Sequence, residues 1–167
     1  MLTLDEEKYL ASIPKDKKVS IQDFDPRVTD VANEIIAKIK RTGIKSEVWN
    51  MGSSGLEIAG QNDIDLNVLS SPNTYKEDLA MLETLFGSPR QKEILPMKWE
   101  FQQSGFDVEL HLDDATTKNF IAHLKVFTAL KNDAKLRRQY EKMKQSYHGK
   151  SMREYMKKKF EFFHEIL

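Results

Sequence analysis

The sequence predicts an α+β fold, a mixed sheet of four to five strands flanked by helices and followed by a helical C-terminal part. Three observations carry that reading. Residues 63–69 and 106–112 alternate polar and apolar side chains, as strands with one buried face do. Residues 28–39 repeat apolar side chains at steps of three and four, the pattern of a helix with one buried stripe. Beyond Asp114 no alternating segment recurs, and the remainder reads as helix. At 167 residues, 40% hydrophobic and 31% charged, the chain has the size and composition of one globular domain. It divides into an N-terminal extension over 1–17, a sheet core over 18–113 and a helical part over 114–167.

Taken in order, Thr3-Leu4-Asp5-Glu6 has the spacing of a capping box, so a short helix is expected over 4–13, ended by Pro14. A polar link leads to an extended or edge-strand segment at 18–24. Asp25-Pro26 then opens a helix, with Asp25 as cap and proline at the first helical position. Val28, Val31, Ala32, Ile35, Ile36 and Ile39 form its buried stripe, and Gly43 stops it. Residues 44–51 read as a strand running into the turn Gly52-Ser53-Ser54, after which one helical turn would point Leu56 and Ala59 inward. The strand that begins at Asp63 ends at Ser70-Ser71-Pro72-Asn73. The helix over 74–86 puts Leu79, Leu82, Leu85 and Phe86 inward and ends at Gly87.

Strands are expected at 91–95 and 97–103, broken at Pro96, with Ser104-Gly105 turning tightly into 106–112. In that last strand Phe106, Val108, Leu110 and Leu112 take one side and Asp107, Glu109 and His111 the other. Asp113 and Asp114 are adequate N-caps, and beyond them three helices are expected at about 115–130, 134–147 and 151–166, the last marked by the capping box Ser151-Met152-Arg153-Glu154. No internal repeat and no low-complexity segment is found.

The chemistry concentrates in residues 51–69. Asp63 and Asp65 lie two apart on a strand and therefore share a face. Carboxylates that close repel unless water, a basic group or a cation lies between them. With oxygen donors and no cysteine, the cation expected is Mg²⁺ or Mn²⁺, which takes one or two carboxylates and completes its shell with water and phosphate. Glycine at 52 lets backbone approach a ligand, and Ser53 and Ser54 offer hydroxyl and amide donors to phosphate oxygens. Asp107 or Glu109 would supply a third carboxylate if their strand lies beside that of Asp63; strand register, which decides between them, is not legible in sequence.

A Gly-Ser turn, a spacer and an Asp-x-Asp strand, here Gly52-Ser53 and Asp63-Ile64-Asp65, resemble the signature of the DNA polymerase beta-like nucleotidyltransferase superfamily. Together with KVSIQDFDPR, ELHL, FTALKNDAKLRRQYEKMKQSY and REYMKKKFEFF, they make residues 18–167 resemble the GrpB family, a branch of it. Phe127, Leu130, Tyr140, Lys144, Tyr155 and Lys158 fall where that family has like residues. The chain departs from the family in Gly-Leu-Glu-Ile-Ala-Gly at 55–60, where a proline is expected, and in Glu109, where a histidine is common. The resemblance implies an Mg²⁺-dependent enzyme that moves a nucleoside monophosphate from an NTP, ATP among them, to a small-molecule or RNA acceptor. The alternative is a module that keeps the fold and binds a nucleotide or a protein without turnover.

Composition narrows the classes further. Zero cysteines exclude disulfides and thiolate chemistry. No apolar run approaches the roughly 20 residues of a membrane span, and the first residues are acidic where a secretory signal is basic, so a cytoplasmic protein is expected. Residues 131–167 hold eleven Lys or Arg against five Asp or Glu, while the carboxylate segment lies in the acidic remainder. That basic cluster reads as a solvated face with snorkelling lysines, or as a surface that steers a triphosphate or RNA. His111 reads as a hydrogen-bonded sheet residue, and Phe160, Phe162 and Phe163 as core of the last helix.

Overall fold

The computed structural model of the protein describes residues 1–90 and 95–167. Its elements run α1 (Leu4–Ser12), α2 (Arg27–Lys40), β1 (Glu47–Asn50), β2 (Asp63–Ser70), α3 (Tyr75–Phe86), β3 (Met97–Gln103), β4 (Phe106–Asp114), α4 (Lys118–Asn132), α5 (Ala134–Ser146) and α6 (Met152–His164). A 3₁₀ turn at Ser54–Leu56 follows β1. The four described strands form one mixed sheet in the order β1-β2-β4-β3. β2 and β4 are parallel at its centre, and β1 and β3 flank them antiparallel.

Alternation along β2 and β4 decides where the layers go. Ile64, Leu66, Val68, Val108, Leu110 and Leu112 are buried together against Val28, Val31, Ile35 and Ile39 of α2 and Leu82 of α3. The opposite face carries Asp63, Asp65 and Asn67 on β2 and Asp107, Glu109 and His111 on β4, and α4, α5 and α6 lie on that side. Their own cluster is built on Phe120, Val126, Phe127, Leu130 and Tyr140, with Met51, Leu56 and Ile58 from the segment after β1. The sheet thus has an apolar side filled by two helices and a polar side roofed by three.

Local chemistry sets the element ends. Thr3 and Glu6 form both hydrogen bonds of the capping box on α1. Ser104 and Gly105 both adopt positive φ, the conformation of a two-residue hairpin turn, and so join β3 to β4. The cap position of α2 is Pro26, one residue later than expected and without a side-chain cap bond; Asp25, just before it, accepts from Arg27 N at 3.0 Å through Oδ1.

Several expectations are corrected. The strand at 44–51 is shorter, Glu47–Asn50. Residues 18–24 are extended but lie outside the sheet, bridging Lys18 to Ser151 and Gln22 to Gly60. Asp113 and Asp114 do not cap α4, because β4 runs through both and Thr117 accepts from Phe120 N in that role. The strand at 91–95 falls on 91–94, outside the described residues, and on Leu95 ahead of β3. No helix among the described residues is long and apolar enough to cross a membrane.

Candidate functional site

Between the polar face of the sheet and its helical roof is a cavity of about 290 Å³. Its floor is Asp63, Asp65 and Asn67 of β2, with His111 and Asp113 of β4. The turn Gly52-Ser53 closes one end. His123, Phe127 and Leu130 of α4, Tyr140 and Lys144 of α5, and Tyr155, Lys159 and Phe163 of α6 form the roof. The sequence-identified turn and carboxylate pair therefore meet at one place.

Their contact is close. Met51 N donates to Asp65 O at 2.9 Å, which sets the turn beside β2. A Cβ at residue 52 would overlap the Asp65 carboxylate, so only glycine lets that side chain rest against the turn. Ser53 Oγ accepts a hydrogen bond from Lys144 Nζ, and a Cβ at Gly60 would crowd both partners. Glu141 Oε1, one turn before Lys144 on α5, accepts from Ala59 N at 2.8 Å and fixes the loop after the turn to the same helix. Ser54 faces away from this contact. Its side chain is buried and donates to Asn50 Oδ1 at 3.1 Å.

Burial and mutual repulsion govern the acids. Burial pushes Asp63 above the usual carboxylate range, partly offset by the Lys144 and Lys159 charges. Asp65 is pushed up to about 6, by burial first and by Asp63 second. Burial raises Asp113 as well, and Asp113 Oδ2 accepts from Asn67 Nδ2 at 2.8 Å. Asn67 Oδ1 is then left buried without a hydrogen-bond partner. Such an atom costs free energy unless something binds it.

On the roof, burial lowers Lys144 to about 7, helped by the Lys159 charge, and Lys144 is only 2% exposed. Burial also holds His123 down at about 4, so it is neutral at physiological pH. Tyr140 and Tyr155 are buried, and burial pushes both phenols up, which keeps them protonated.

Register places the candidate third acids. Asp63 pairs with Asp107 and Asp65 with Glu109, so all four share one face. Neither Asp107 nor Glu109 lines the cavity, whereas Asp113 of the same strand does. Asp107 is exposed and accepts from Gln102 Nε2 at 2.8 Å. Glu109 lies 2.9 Å from Lys98 Nζ and 3.4 Å from His111 Nε2. The His111 hydrogen bond, with Lys98 behind it, brings Glu109 down to about 2. Among the described residues no group of three or more His, Cys, Asp or Glu converges as a metal centre.

Of the residues matched to the family, Phe127, Leu130, Tyr140, Lys144 and Tyr155 line the roof, but reading the basic cluster as either a solvated or a steering face did not single out which lysines enter it. Lys144 belongs to a buried contact and not to a solvated face, and Lys159, not Lys158, enters the cavity; Lys158 Nζ instead lies 3.5 Å from Glu161. A signal for both was present as a local repeat. Arg138-Gln-Tyr140-Glu-Lys142-Met-Lys144 recurs fifteen residues on as Arg153-Glu-Tyr155-Met-Lys157-Lys-Lys159. In each copy Tyr and Lys are four apart, hence on one helix face, and in each copy both line the cavity.

Comparison with known proteins agrees with this architecture. The family model described as GrpB protein matches residues 18–167. No curated protein matches. Among solved structures the chain is similar to the crystal structure of conserved protein GrpB from Enterococcus faecalis, with a TM-score of 0.65 and 18% identity, covering 87% of this chain and 96% of that one.

Proposed function

The chain belongs to the GrpB family, and from that premise we propose that the cavity is the active site of a magnesium-dependent nucleotidyltransferase, which moves a nucleoside monophosphate from an NTP to an acceptor hydroxyl or phosphate. The observation that carries this reading is the meeting of the Gly52-Ser53 turn with the Asp63 and Asp65 carboxylates in one cavity.

The residues present fit the metal. Two half-buried carboxylates whose affinity for protons is raised by burial, and at Asp65 by Asp63 as well, form an all-oxygen donor set with the unpartnered Asn67 Oδ1 two residues further along the same face. That is the donor chemistry of Mg²⁺ or Mn²⁺, which needs only one or two carboxylates where substrate phosphate supplies the rest. Asp63 and Asp65 would hold it. Glu109, level with Asp65 on the next strand, is the neighbouring third carboxylate, engaged here with Lys98 and His111, and Asp107 is exposed. When bound, the metal supplies charge for the phosphoryl oxygens and acidifies the attacking hydroxyl.

The chain's own residues do the positioning. Gly52 and Ser53 present a close-approach turn to the outer phosphates of the NTP, and the helical roof keeps bulk water from the reacting phosphorus. In the transfer the acceptor oxygen bonds to the α-phosphorus while the bond from that phosphorus to the oxygen bridging it to the β-phosphate breaks; pyrophosphate departs, and an acceptor hydroxyl gives its proton to solvent.

The test is thermal unfolding with Mg²⁺, with each NTP, and with both, since a ligand that binds only the native state stabilises it. Metal and NTP together should raise the Tm well beyond the sum of the two alone, and Asp63→Asn and Asp65→Asn should each remove that synergy. Synergy that survives in both variants would remove the metal from these carboxylates. A parallel incubation with α-labelled NTPs and small-molecule and RNA fractions should show label transferred to one of them. Synergy without any transfer would leave a nucleotide-binding module in place of an enzyme.

A further inference from the structure

We propose that Lys144 and Lys159 form a two-lysine clamp for a chain of phosphates, so that the repeated Tyr-x-x-x-Lys faces of α5 and α6 are the polyphosphate subsite of this cavity. The inference rests on reading the cavity as a nucleotide site, and it assigns the substrate's triphosphate to the helical roof as well as to the Gly-Ser turn.

The argument begins with charge. Both lysines reach one cavity from different helices, and among the described residues neither makes an ion pair. The polar contact of Lys144 is a neutral hydroxyl, Ser53 Oγ. Its Nζ also lies 5.3 Å from the Tyr140 ring, as the Lys159 Nζ lies 5.5 Å from that of Phe163. Burying a cation against a hydroxyl and a ring is costly unless an anion completes the site.

The carboxylates on the floor offset the lysine charges only in part, since Lys144 is still pulled down to about 7 and Asp65 still pushed up to about 6. The cavity is therefore split, acids on the sheet and ammoniums on the helices. A metal–polyphosphate matches both walls, with the metal against Asp63 and Asp65 and the phosphate oxygens against Lys144 and Lys159. Two anchors on separate helices favour a chain of phosphates, which offers more charge and more oxygens to both than a lone phosphate does. Tyr140 and Tyr155, one helical turn before each lysine, pack as fixed aromatic bases: Tyr140 stacks on Phe162 at 5.4 Å, and Tyr155 packs on Tyr147 at 6.1 Å.

The repeat provides its own control. Lys142 and Lys157 occupy matching positions two residues before the cavity lysines, and both are exposed. The experiment is calorimetric titration of the full chain with inorganic tripolyphosphate and with orthophosphate, in EDTA so that no metal contributes. Tripolyphosphate should bind at least about tenfold more tightly than orthophosphate, and Lys144→Met and Lys159→Met should each weaken it by about tenfold or more. Lys142→Met and Lys157→Met should stay within about twofold of the parent.

The clamp is overturned if the parent does not favour tripolyphosphate, if either cavity variant binds as the parent does, or if the exposed controls lose as much. Circular dichroism checks folding, and Lys159, only half-buried, decides the matter if the Lys144 variant does not fold. Asp63→Asn separates this inference from the reading beneath it, because it removes a metal carboxylate and a charge that repels the anion, so it should abolish magnesium synergy without weakening metal-free tripolyphosphate binding. Absence of magnesium synergy in the parent, with an intact clamp, would sink the transferase reading alone.

Discussion

Asp65 concentrates the conflict between folding and function in one side chain. Its folded-state value of about 6 lies above that of an unfolded aspartate, so the protonated form is favoured by the fold. Its contribution is full below about pH 4 and is lost as pH rises toward 6, leaving a penalty at neutral pH. Asp65→Asn, in EDTA, should therefore raise stability at pH 7 by about 1–2 kcal/mol and flatten the profile between pH 4 and 6. Denaturant unfolding across that range checks it; a less stable variant would mean that the ionised carboxylate is well compensated. Glu109 runs the other way. Held near 2 by His111 and Lys98, it stabilises the fold above its unfolded value, and that stabilisation is lost as pH falls from about 4.5 toward 2. Glu109→Gln should lower stability at neutral pH and lose less on acidification, with unfolding midpoints at pH 7 and pH 3 as the measurement.

The decisive elements are the turn after β1 and helix α5, which lock together through Ser53, Gly60 and Glu141. Glycine at 52 is required by the Asp65 side chain and not by a left-handed backbone, so the smallest substitution tests the arrangement directly. Gly52→Ala should push Asp65 from its place, costing about 1–3 kcal/mol as overpacking does and abolishing the synergy of Mg²⁺ with NTP. Gly43→Ala is the comparison. Its Cβ meets open space and its φ of 88° favours glycine, so it should lose stability yet keep the synergy. Thermal unfolding with and without ligand separates the two, and synergy retained in Gly52→Ala would show that Asp65 need not rest on the turn.

Across the whole molecule the N-terminal residues support the site from behind. Leu10 and Ile13 of α1 and its end pack with Val19, Ile21, Ala59, Met152 and Tyr155. Arg153 Nη2 donates to Ile13 O, and His164 Nε2 lies 2.9 Å from Glu6 Oε1, joining the last helix to the first. Ala59 belongs to the loop that carries the turn, and Tyr155 lines the cavity, so this cluster ties the chain's beginning to both. Leu10→Ala should cost about 2–4 kcal/mol and also loosen tripolyphosphate binding through Tyr155, whereas Leu4→Ala, at an exposed position, should do neither. Urea midpoints and the same titration measure both effects. Unaltered binding in a destabilised Leu10 variant would make the N-terminal packing a matter of stability alone.

Periodicity alone determined most of the element list, because alternation in β2 and β4 and the stripe on α2 are local consequences of how a strand or helix presents side chains to a core. It also determined that Asp63 and Asp65 share a face near a Gly-Ser turn. Residues 113 and 114 misled because an aspartate before a helix has the chemistry of a cap whether or not the preceding strand continues through it. Register between β2 and β4 was beyond sequence, since it is set by the packing of two segments over forty residues apart. Only the tertiary structure set Glu109 level with Asp65 and outside the cavity, bound to Lys98. The roof was marked only by the paired Tyr-x-x-x-Lys spacing, because a lysine among eleven basic residues carries no mark of burial by itself. Which face of α5 turns inward depends on Tyr140 stacking on Phe162 and on Glu141 reaching Ala59, contacts between parts of the chain that meet only when it folds.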